Sequence, residues 1–250
     1  MSLKTILTLV VFTFCFKAHA ENVTIRICNL DTGFPPFTNV KGTGQWQTLV
    51  KKTFSNLNLT AHFQYIPRER CLLKMKRGDI DAIFAAPSDK RASYMAFPKL
   101  KNGKHDVNKA MDILVFRVYK KKNNPLDWDG KKFMNLNDKT IGAQKGFNTI
   151  DALNALNVKT DGDLVATAEQ NLMKLNLNRI VAAVVEETQG DQIIKEKGLK
   201  ELVKLPKFFA STSVYLAFSQ SFYARNTELA EKIWEHMQTP KKKILRDSQN

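Results

Sequence analysis

Arginines and an acidic residue at the end of an apolar run are the side chains in this sequence whose types and positions could do chemistry. Arg68 and Arg70 stand in one polar segment, and Arg91 stands in another further along the chain. A guanidinium group is planar and offers paired N–H donors that match a carboxylate. Glu186 follows a run of apolar residues, where an acidic side chain is costly to bury without a partner. These residues could bind a small charged or polar solute.

The sequence lacks the patterns of the common catalytic and cofactor sites. It has no serine, histidine and aspartate in the order of a known triad, no cluster with metal-ligand spacing and no glycine-rich loop for phosphates. We therefore predict no catalytic residue, no metal and no cofactor. The histidines are scattered along the chain, at His19, His62, His105 and His236.

Residue patterns in the first part of the chain predict an α/β unit built on parallel strands. The order strand, helix, strand, helix, strand places helices on the faces of such a sheet. A turn-rich stretch, 29–36, follows the first strand, and Gly78 is a stop signal for the second helix. The predicted strands are Val23–Ile27, His62–Ile66 and Ile80–Ala85, and the predicted helices are Trp46–Leu57 and Cys71–Arg77.

The same pattern begins again after residue 110 and predicts a second α/β unit. Together with a return segment at the end of the chain, it predicts two lobes, the second inserted into the first. The predicted strands are Asp112–Tyr119, Thr140–Ala143, Val181–Val185 and Val214–Phe218, and the predicted helices are one after Gly146, Ala168–Leu177 and Thr227–Met237.

The first twenty residues predict a cleavable secretory signal peptide. Lys4 is followed by an apolar run, Ile6–Phe16, and by Ala18-His19-Ala20, which has the form of a cleavage site. The run is too short to span a bilayer. The alternative is a buried N-terminal core helix. We predict cleavage after Ala20 and a mature protein in a bacterial periplasm.

The strong positive charge does not by itself indicate a nucleic-acid-binding protein. The formal net charge is +15, and removal of Lys4 and Lys17 with the signal peptide leaves +13. The lysines are spread out apart from Lys120–Lys122 and Lys241–Lys243. We expect most of these lysine side chains to be solvated on the protein surface, and we expect no nucleic-acid partner. The other reading is that part of this field attracts an anionic ligand or membrane surface.

Cys28 and Cys71 are the cysteines that remain after cleavage, and they are a candidate disulfide pair. An isolated pair in an oxidising compartment favours a bridge. The predicted parallel strands also bring the end of the first strand close to the start of the second helix. Such a bridge stabilises the fold by roughly 3–4 kcal/mol on the chain-entropy model. Two buried free thiols are the alternative.

Four segments in a fixed order point to a known family. They are Asp31–Phe37, then Pro67–Cys71 followed by Gly78–Asp81, then Ser88–Arg91 followed by Phe97–Pro98, and lastly Ile141–Gly146 with Asn178-Arg179 and Glu186 beyond it. Together they resemble the motifs of the bacterial extracellular solute-binding protein family 3. Its members are type II periplasmic binding proteins, including binders of polar amino acids. The resemblance covers essentially the whole mature chain.

This resemblance implies an α/β fold of two lobes, joined by a two-strand hinge, with a ligand cleft between them. Residues 1–20 are then the signal peptide, 21–110 and 213–250 form lobe 1, and 111–212 form lobe 2. We expect the chain to pass between the lobes near 108–114 and again near 208–214.

The resemblance also implies roles for individual residues. Arg91 matches the arginine that holds the ligand's carboxylate, and Phe34 matches an aromatic residue that packs on the ligand. Asp31 and Glu186 match acidic positions that meet cationic or polar ligand groups. The alternatives are a surface arginine, a core aromatic residue and a turn-forming aspartate. The implied ligand-binding set is Asp31, Phe34, Arg68, Arg70, Ser88, Arg91, Gln144, Phe147, Asn148 and Glu186.

Departures from the family pattern favour an anionic ligand over an ordinary amino acid. Arg68 and Arg70 stand where amino-acid binders often have an aromatic residue, and Ser88 is the one hydroxyl left before Arg91. We predict that Arg91, with Arg68 or Arg70, holds an anionic group of the solute. Glu186 or Asp31 would then hold any cationic or hydroxyl group.

The function implied is that of a monomeric periplasmic binding protein, not an enzyme. It would capture a small polar or anionic solute and deliver it to an inner-membrane permease of an ABC-type uptake system. One alternative is an enzyme resembling cyclohexadienyl dehydratase, with Glu69 or Glu186 as the acid or base. Another is a sensor whose closed form signals to a membrane receptor.

Overall fold

The computed structural model describes residues 23–237 of the 250-residue chain. The predicted signal peptide, 1–20, and the lysine cluster Lys241–Lys243 lie outside the described residues. Between Val23 and Met237, no helix has the length and apolar character needed to cross a membrane.

The first half of the fold, as we define it here, contains the elements before residue 111. The prediction of alternating strands and helices is confirmed there, with boundaries moved by a few residues. The strands are β1 (Val23–Leu30), β2 (Leu59–Ile66), β3 (Ala82–Ala85) and β4 (Met95–Ala96), and the helices are α1 (Gln45–Asn56), α2 (Arg68–Arg77) and α3 (Asp89–Ala92), followed by a short 3-10 helix (Val107–Lys109).

The second half contains the elements from residue 111 to residue 197, and the closing elements follow it. Its strands are β5 (Asp112–Lys121), β6 (Asp127–Trp128), β7 (Phe133–Met134), β8 (Ile141–Gly142) and β9 (Ala182–Glu186), and its helices are α4 (Asn148–Ala155), α5 (Ala168–Asn176) and α6 (Glu187–Lys197). The closing elements are β10 (Leu202–Ser219), α7 (Gln220–Arg225) and α8 (Thr227–His236).

Most strands form one mixed sheet in the order β2-β1-β3-β10-β5-β9-β8. Strands β1, β2 and β3 are parallel, as predicted, and so are β8 and β9. The sheet as a whole is not parallel, because β10 runs antiparallel to both β3 and β5. Because β1 and β3 are parallel, their carboxyl ends lie at the same edge of the sheet. Open α/β sheets bind ligands at this edge.

Strand β10 is much longer than the predicted strand Val214–Phe218. Its first part, Leu202–Val214, pairs with β5, and its last part, Tyr215–Phe218, pairs with β3. Pro206 concealed the first part in the sequence, because proline cannot donate a ladder hydrogen bond and is confined to edges and bulges. The strand tolerates it because the pairing register shifts between Lys204 and Phe208.

The predicted bridge between Cys28 and Cys71 is present and connects β1 to α2. The two Cα atoms are 5.7 Å apart, and both residues are buried. Helix α2 ends at Gly78, which takes the left-handed conformation (φ 76°) that favours glycine, as predicted. The bridge and this cap hold α2 against the sheet, with Arg68 at the start of the helix.

Candidate ligand-binding site

Arg91 is buried at the end of the short helix α3, and its guanidinium group reaches both halves of the fold. Nη1 donates to the carbonyl of Ala86 at 2.9 Å, and Nη2 donates to the carbonyl of Gly146 in the second half at 2.9 Å. Ser88 caps α3 by accepting from the backbone N–H of Arg91 at 3.3 Å. The cap and the two carbonyls fix the direction of the guanidinium group.

Arg68 lies at the start of α2 and brings a second guanidinium group to the same place. Its Nη1 donates to the carbonyl of Phe84 at 3.1 Å, while its Nε is buried and has no hydrogen-bond partner among the described residues. The guanidinium carbon lies 5.7 Å from the ring centroid of Phe147, within cation–π range.

The two arginines line a cavity of about 240 Å³ between the halves. Most of its walls are aromatic and aliphatic, and its polar groups are few. The apolar lining residues are Leu30, Phe34, Trp46, Phe84, Ala85, Ala86, Leu114, Phe116, Phe147, Ala152, Ala210 and Val214 with Cys28, and the polar ones are Asn29, Thr38, Arg68, Arg91, Asn148, Thr149 and Thr212.

The electrostatic environment of this cavity is positive. Among the described residues that line it, Arg68 and Arg91 are the charged ones, and none carries a carboxylate. Burial lowers the pKa of Arg91. Burial and the charge of Arg91 together lower the pKa of Arg68 to about 9, which is still well above neutral pH. A bound anion would relieve the repulsion and the lost hydration of these two cations.

Contacts across the cavity hold the two halves together. Asn148 donates to the carbonyl of Pro87 at 3.2 Å, and Gln189 donates to that of Pro35 at 2.8 Å. The rings of Phe34 and Phe147 lie 5.5 Å apart, centroid to centroid. With the bond from Arg91 to Gly146, these contacts enclose the space in front of the arginines.

Five of the ten predicted ligand-binding residues line this cavity. They come from the loop after β1, the start of α2, helix α3 and the start of α4. They are Phe34, Arg68, Arg91, Phe147 and Asn148.

Asp31 and Arg70, which we predicted as ligand-binding residues, do not line this cavity. Asp31 is exposed, and its backbone N–H bonds to the carbonyl of Ile66, which fits the turn-forming alternative. Arg70 is exposed on α2 two residues beyond Arg68. Successive helical residues are rotated by about 100°, so Arg68 and Arg70 point to different sides. Of the two arginines left open by the sequence, the cavity contains Arg68.

Ser88, Gln144 and Glu186 also lie outside the cavity lining, because each serves a local structure. Ser88 caps α3, and Gln144 donates to the carbonyl of Ala166 at 3.2 Å. Glu186 is buried at the end of β9 and accepts from the backbone N–H of Gln189 at 3.0 Å, which caps α6. Burial raises the pKa of the Glu186 carboxyl, and the charge of Asp112 acts in the same direction.

Neither of the two carboxyl groups considered for acid–base chemistry lines the cavity. Glu69 is exposed and forms an ion pair with Lys145, with Oε2 and Nζ 2.9 Å apart. Glu186 is occupied as a helix cap. Among the described residues, no group of three or more histidine, cysteine, aspartate or glutamate side chains could hold a metal ion.

Several lining residues were not predicted from the sequence, and Asn29 is the most informative of them. It is buried at the carboxyl end of β1, and neither polar atom of its side-chain amide has a hydrogen-bond partner among the described residues. Its position just after the end of a predicted strand could have identified it as a site residue, since ligands bind at the carboxyl ends of strands in α/β sheets. Trp46, Phe84 and Phe116 form the aromatic wall and carry no sequence signal that separates them from core residues.

No protein-family model matches this sequence, and no curated protein sequence matches it either. Solved structures do match. A histidine kinase sensor domain with similarity to periplasmic binding proteins has a TM-score of 0.68 and 19% identity, over 86% of this chain and 89% of that one. The substrate-binding protein of an amino acid ABC transporter has a TM-score of 0.64 and 20% identity, over 86% and 91%.

A third similar structure is the arginine-, lysine-, histidine-binding protein ArtJ from Geobacillus stearothermophilus. Its TM-score is 0.65 at 18% identity, and the match covers 87% of this chain and 88% of that one. Matches that span nearly all of both chains, at such low identity, establish a shared fold.

Proposed function

We propose that this chain, which has the periplasmic-binding-protein fold, captures a small polar or anionic solute between two lobes for an ABC-type uptake system. The cavity between its halves is the proposed binding site. Closure of the halves around the solute creates the surface that an inner-membrane permease would recognise.

The observation that carries this proposal is the pair of buried guanidinium groups in a cavity whose described lining residues carry no carboxylate. Arg68 and Arg91 point N–H donors at an enclosed space, and backbone carbonyls use a minority of those donors. A guanidinium has five donors and no acceptor. A small anion satisfies the remaining donors, which is why we assign the cavity to ligand binding and not to core packing.

The lobe boundaries are part of the proposal. Lobe 1 would contain 21–110 and 213–250, and lobe 2 would contain 111–212. The change of partner along β10, from β5 to β3 between Val214 and Tyr215, supports a second crossing at this point. The start of β5 at Asp112 supports the first crossing.

Periplasmic location and monomeric state also belong to the proposal. The Cys28–Cys71 bridge supports an oxidising compartment, because such bridges persist there. Sequencing the N-terminus of protein exported from bacterial cells tests the location, and Glu21 is the expected first residue. Light scattering of the same protein tests the monomer.

A thermal-shift screen of the mature protein tests solute binding itself. The panel contains amino acids, di-acids, monocarboxylic acids, sugar acids, neutral sugars and phosphorylated solutes. A solute present at 100 times its Kd adds about 2.7 kcal/mol to the free energy of unfolding. We expect at least one anionic solute to raise the Tm. A panel in which no solute changes the Tm would contradict a binding function.

A sensing role is the second candidate, because one similar structure is a histidine kinase sensor domain. In that role the closed form would signal to a membrane receptor instead of feeding a permease. A gene deletion in the source bacterium separates the two. Lost uptake of the solute supports transport, whereas lost transcriptional response with intact uptake supports sensing.

A further inference from the structure

Three buried polar atoms on residues that line the cavity have no hydrogen-bond partner among the described residues. They are Nε of Arg68 and both side-chain amide atoms of Asn29, that is, Nδ2 and Oδ1. Asn29 is 3% exposed, and both residues line the cavity. Buried polar groups in folded proteins are almost always hydrogen-bonded, so each of these atoms points to a ligand group.

The three atoms require different hydrogen-bonding groups on the ligand. Nε of Arg68 is a donor on a cation and suits an anionic oxygen. The amide of Asn29 offers a donor and an acceptor side by side, and its acceptor requires an N–H or O–H group on the ligand. A hydroxyl both donates and accepts, so Asn29 suits a neutral polar group of this kind.

This cavity offers no carboxylate acceptor from its described lining residues to an ammonium group. An amino-acid zwitterion needs an acceptor for its ammonium group, ideally a carboxylate, and no lining residue described in the structure carries one. The carbonyls of Phe84, Ala86 and Gly146 already accept from the arginines. A second cation beside Arg68 and Arg91 would also be repelled by both.

The rest of the cavity is apolar. Phe34, Trp46 and Phe147 surround it with aromatic surface, and Leu114 and Val214 add aliphatic surface. Its volume of about 240 Å³ is below the range of about 300–1,000 Å³ that is usual for drug-sized ligands. The ligand that matches these walls is small and has a hydrophobic body.

We infer that the cavity selects a small carboxylic acid with an apolar body, a neutral hydroxyl-type group and no ammonium group, and that Arg68 and Asn29 set this preference. Arg68 with Arg91 binds the carboxylate, and Asn29 binds the neutral polar group. The inference rests on the proposed binding function and names its solute class.

Two matched sets of probes test this selection by titration calorimetry on the mature protein. Phenylpropanoate, phenyllactate and phenylalanine share one body and differ only beside the carboxylate, as do isocaproate, leucate and leucine. In at least one set we expect the acid or hydroxy acid to bind about tenfold or more tightly than the amino acid, and the hydroxy acid to bind most tightly. An amino acid that binds as tightly as its hydroxy acid in both sets overturns the inference.

The design separates this inference from the proposed function. If amino acids bind best, the chain is a binding protein and the selection against ammonium is wrong. If sulfate or inorganic phosphate alone binds as tightly as the organic acids, the apolar body is irrelevant and the inference is also wrong. If neither these probes nor the broader panel binds, both the inference and the binding function fail.

Two variants test the residues, with a control on the same helix. Arg68→Met should weaken binding of the best acid by about tenfold or more, whereas Arg70→Met removes an equal charge from the exposed face of α2 and should leave it unchanged. Asn29→Ala should lower affinity for the hydroxy acid more than for the unsubstituted acid. Equal effects of Arg68→Met and Arg70→Met would refute the role of Arg68. Equal losses of affinity for both acids in Asn29→Ala would refute the role of Asn29. If either variant does not fold, Arg68→Gln or Asn29→Ser replaces it.

Discussion

Gly146 of the second half packs directly against Arg68 of the first half. A Cβ atom at position 146 would lie 2.7 Å from Cγ of Arg68, closer than such atoms approach in folded proteins. Gly146 also accepts the hydrogen bond from Arg91, so one residue of the second half touches both arginines. The absence of a side chain at this position lets the halves meet.

This contact predicts that Gly146→Ala impairs ligand binding beyond its effect on stability. Overpacking of a tight contact costs typically 1–3 kcal/mol, so we expect a roughly tenfold loss of affinity. Gly198→Ala is the control, because Gly198 also has positive φ but no atom within 4 Å of an added Cβ. Both variants should lose about 1–2 kcal/mol of stability from the left-handed backbone. Equal ligand affinity in the two variants would show that the halves do not need this close contact.

Arg91→Ala should reduce the affinity for the solute by at least about 2 kcal/mol, which is roughly 30-fold, because it removes a desolvated charge that faces the ligand. Arg91→Lys should also weaken binding, since an ammonium cannot fork onto a carboxylate. Lys90→Ala, at an exposed neighbouring position, is the control for net charge. Titration calorimetry with the best solute of the screen measures the Kd of each variant. An unchanged Kd for Arg91→Ala would show that Arg91 does not bind the solute.

The bridge between Cys28 and Cys71 closes a segment with a sequence separation of 43. On the chain-entropy model such a loop contributes about 4 kcal/mol. The double variant Cys28→Ala with Cys71→Ala should therefore unfold about 8–16 °C below the unmodified protein. Thiol counting on denatured mature protein should find none before reduction and two after it. Two reactive thiols without reduction would mean that the bridge does not form.

Glu186→Gln should stabilise the protein near neutral pH and have little effect in acid. Burial raises the pKa of this carboxyl in the folded state, so its ionised form opposes folding once the pH exceeds the ordinary value of about 4.3. Glutamine keeps an oxygen that can cap α6 and has no charge to desolvate. The Tm difference should thus grow as the pH rises from about 4 to 7.

The exposed Glu196→Gln is the control for this measurement, and its Tm difference should vary much less with pH. A Glu186→Gln variant that is less stable than the unmodified protein at pH 7 would indicate that Glu186 has a cationic partner.

The sequence was sufficient for the order of the main strands and helices in the first half and for five of the residues that line the cavity. Gly78 as a helix stop and the apolar strand before Glu186 are local signals, because caps and buried strands depend on adjacent residues. Phe34 and Arg91 were identified through a family resemblance, which transfers positions that no local rule would reveal.

Other features of the site depended on geometry that the sequence does not contain. The sequence does not distinguish Arg68 from Arg70, because both are arginines in one short segment. Only the direction in which each side chain leaves helix α2 decides which of them faces the cavity. Glu186 needed a partner, but the partner is the start of α6, a helix that we did not predict. The role of Asn29 became visible only when both of its amide atoms were seen to be buried without partners.

A crystal structure of the mature protein with the strongest solute from the screen tests the central claim most directly. We predict that the anionic group of the solute lies about 2.7–3.2 Å from N–H donors of both Arg68 and Arg91. The body of the solute should lie against Phe34 and Phe147. A solute bound outside this cavity, or bound inside it with no contact to either guanidinium group, would contradict the account.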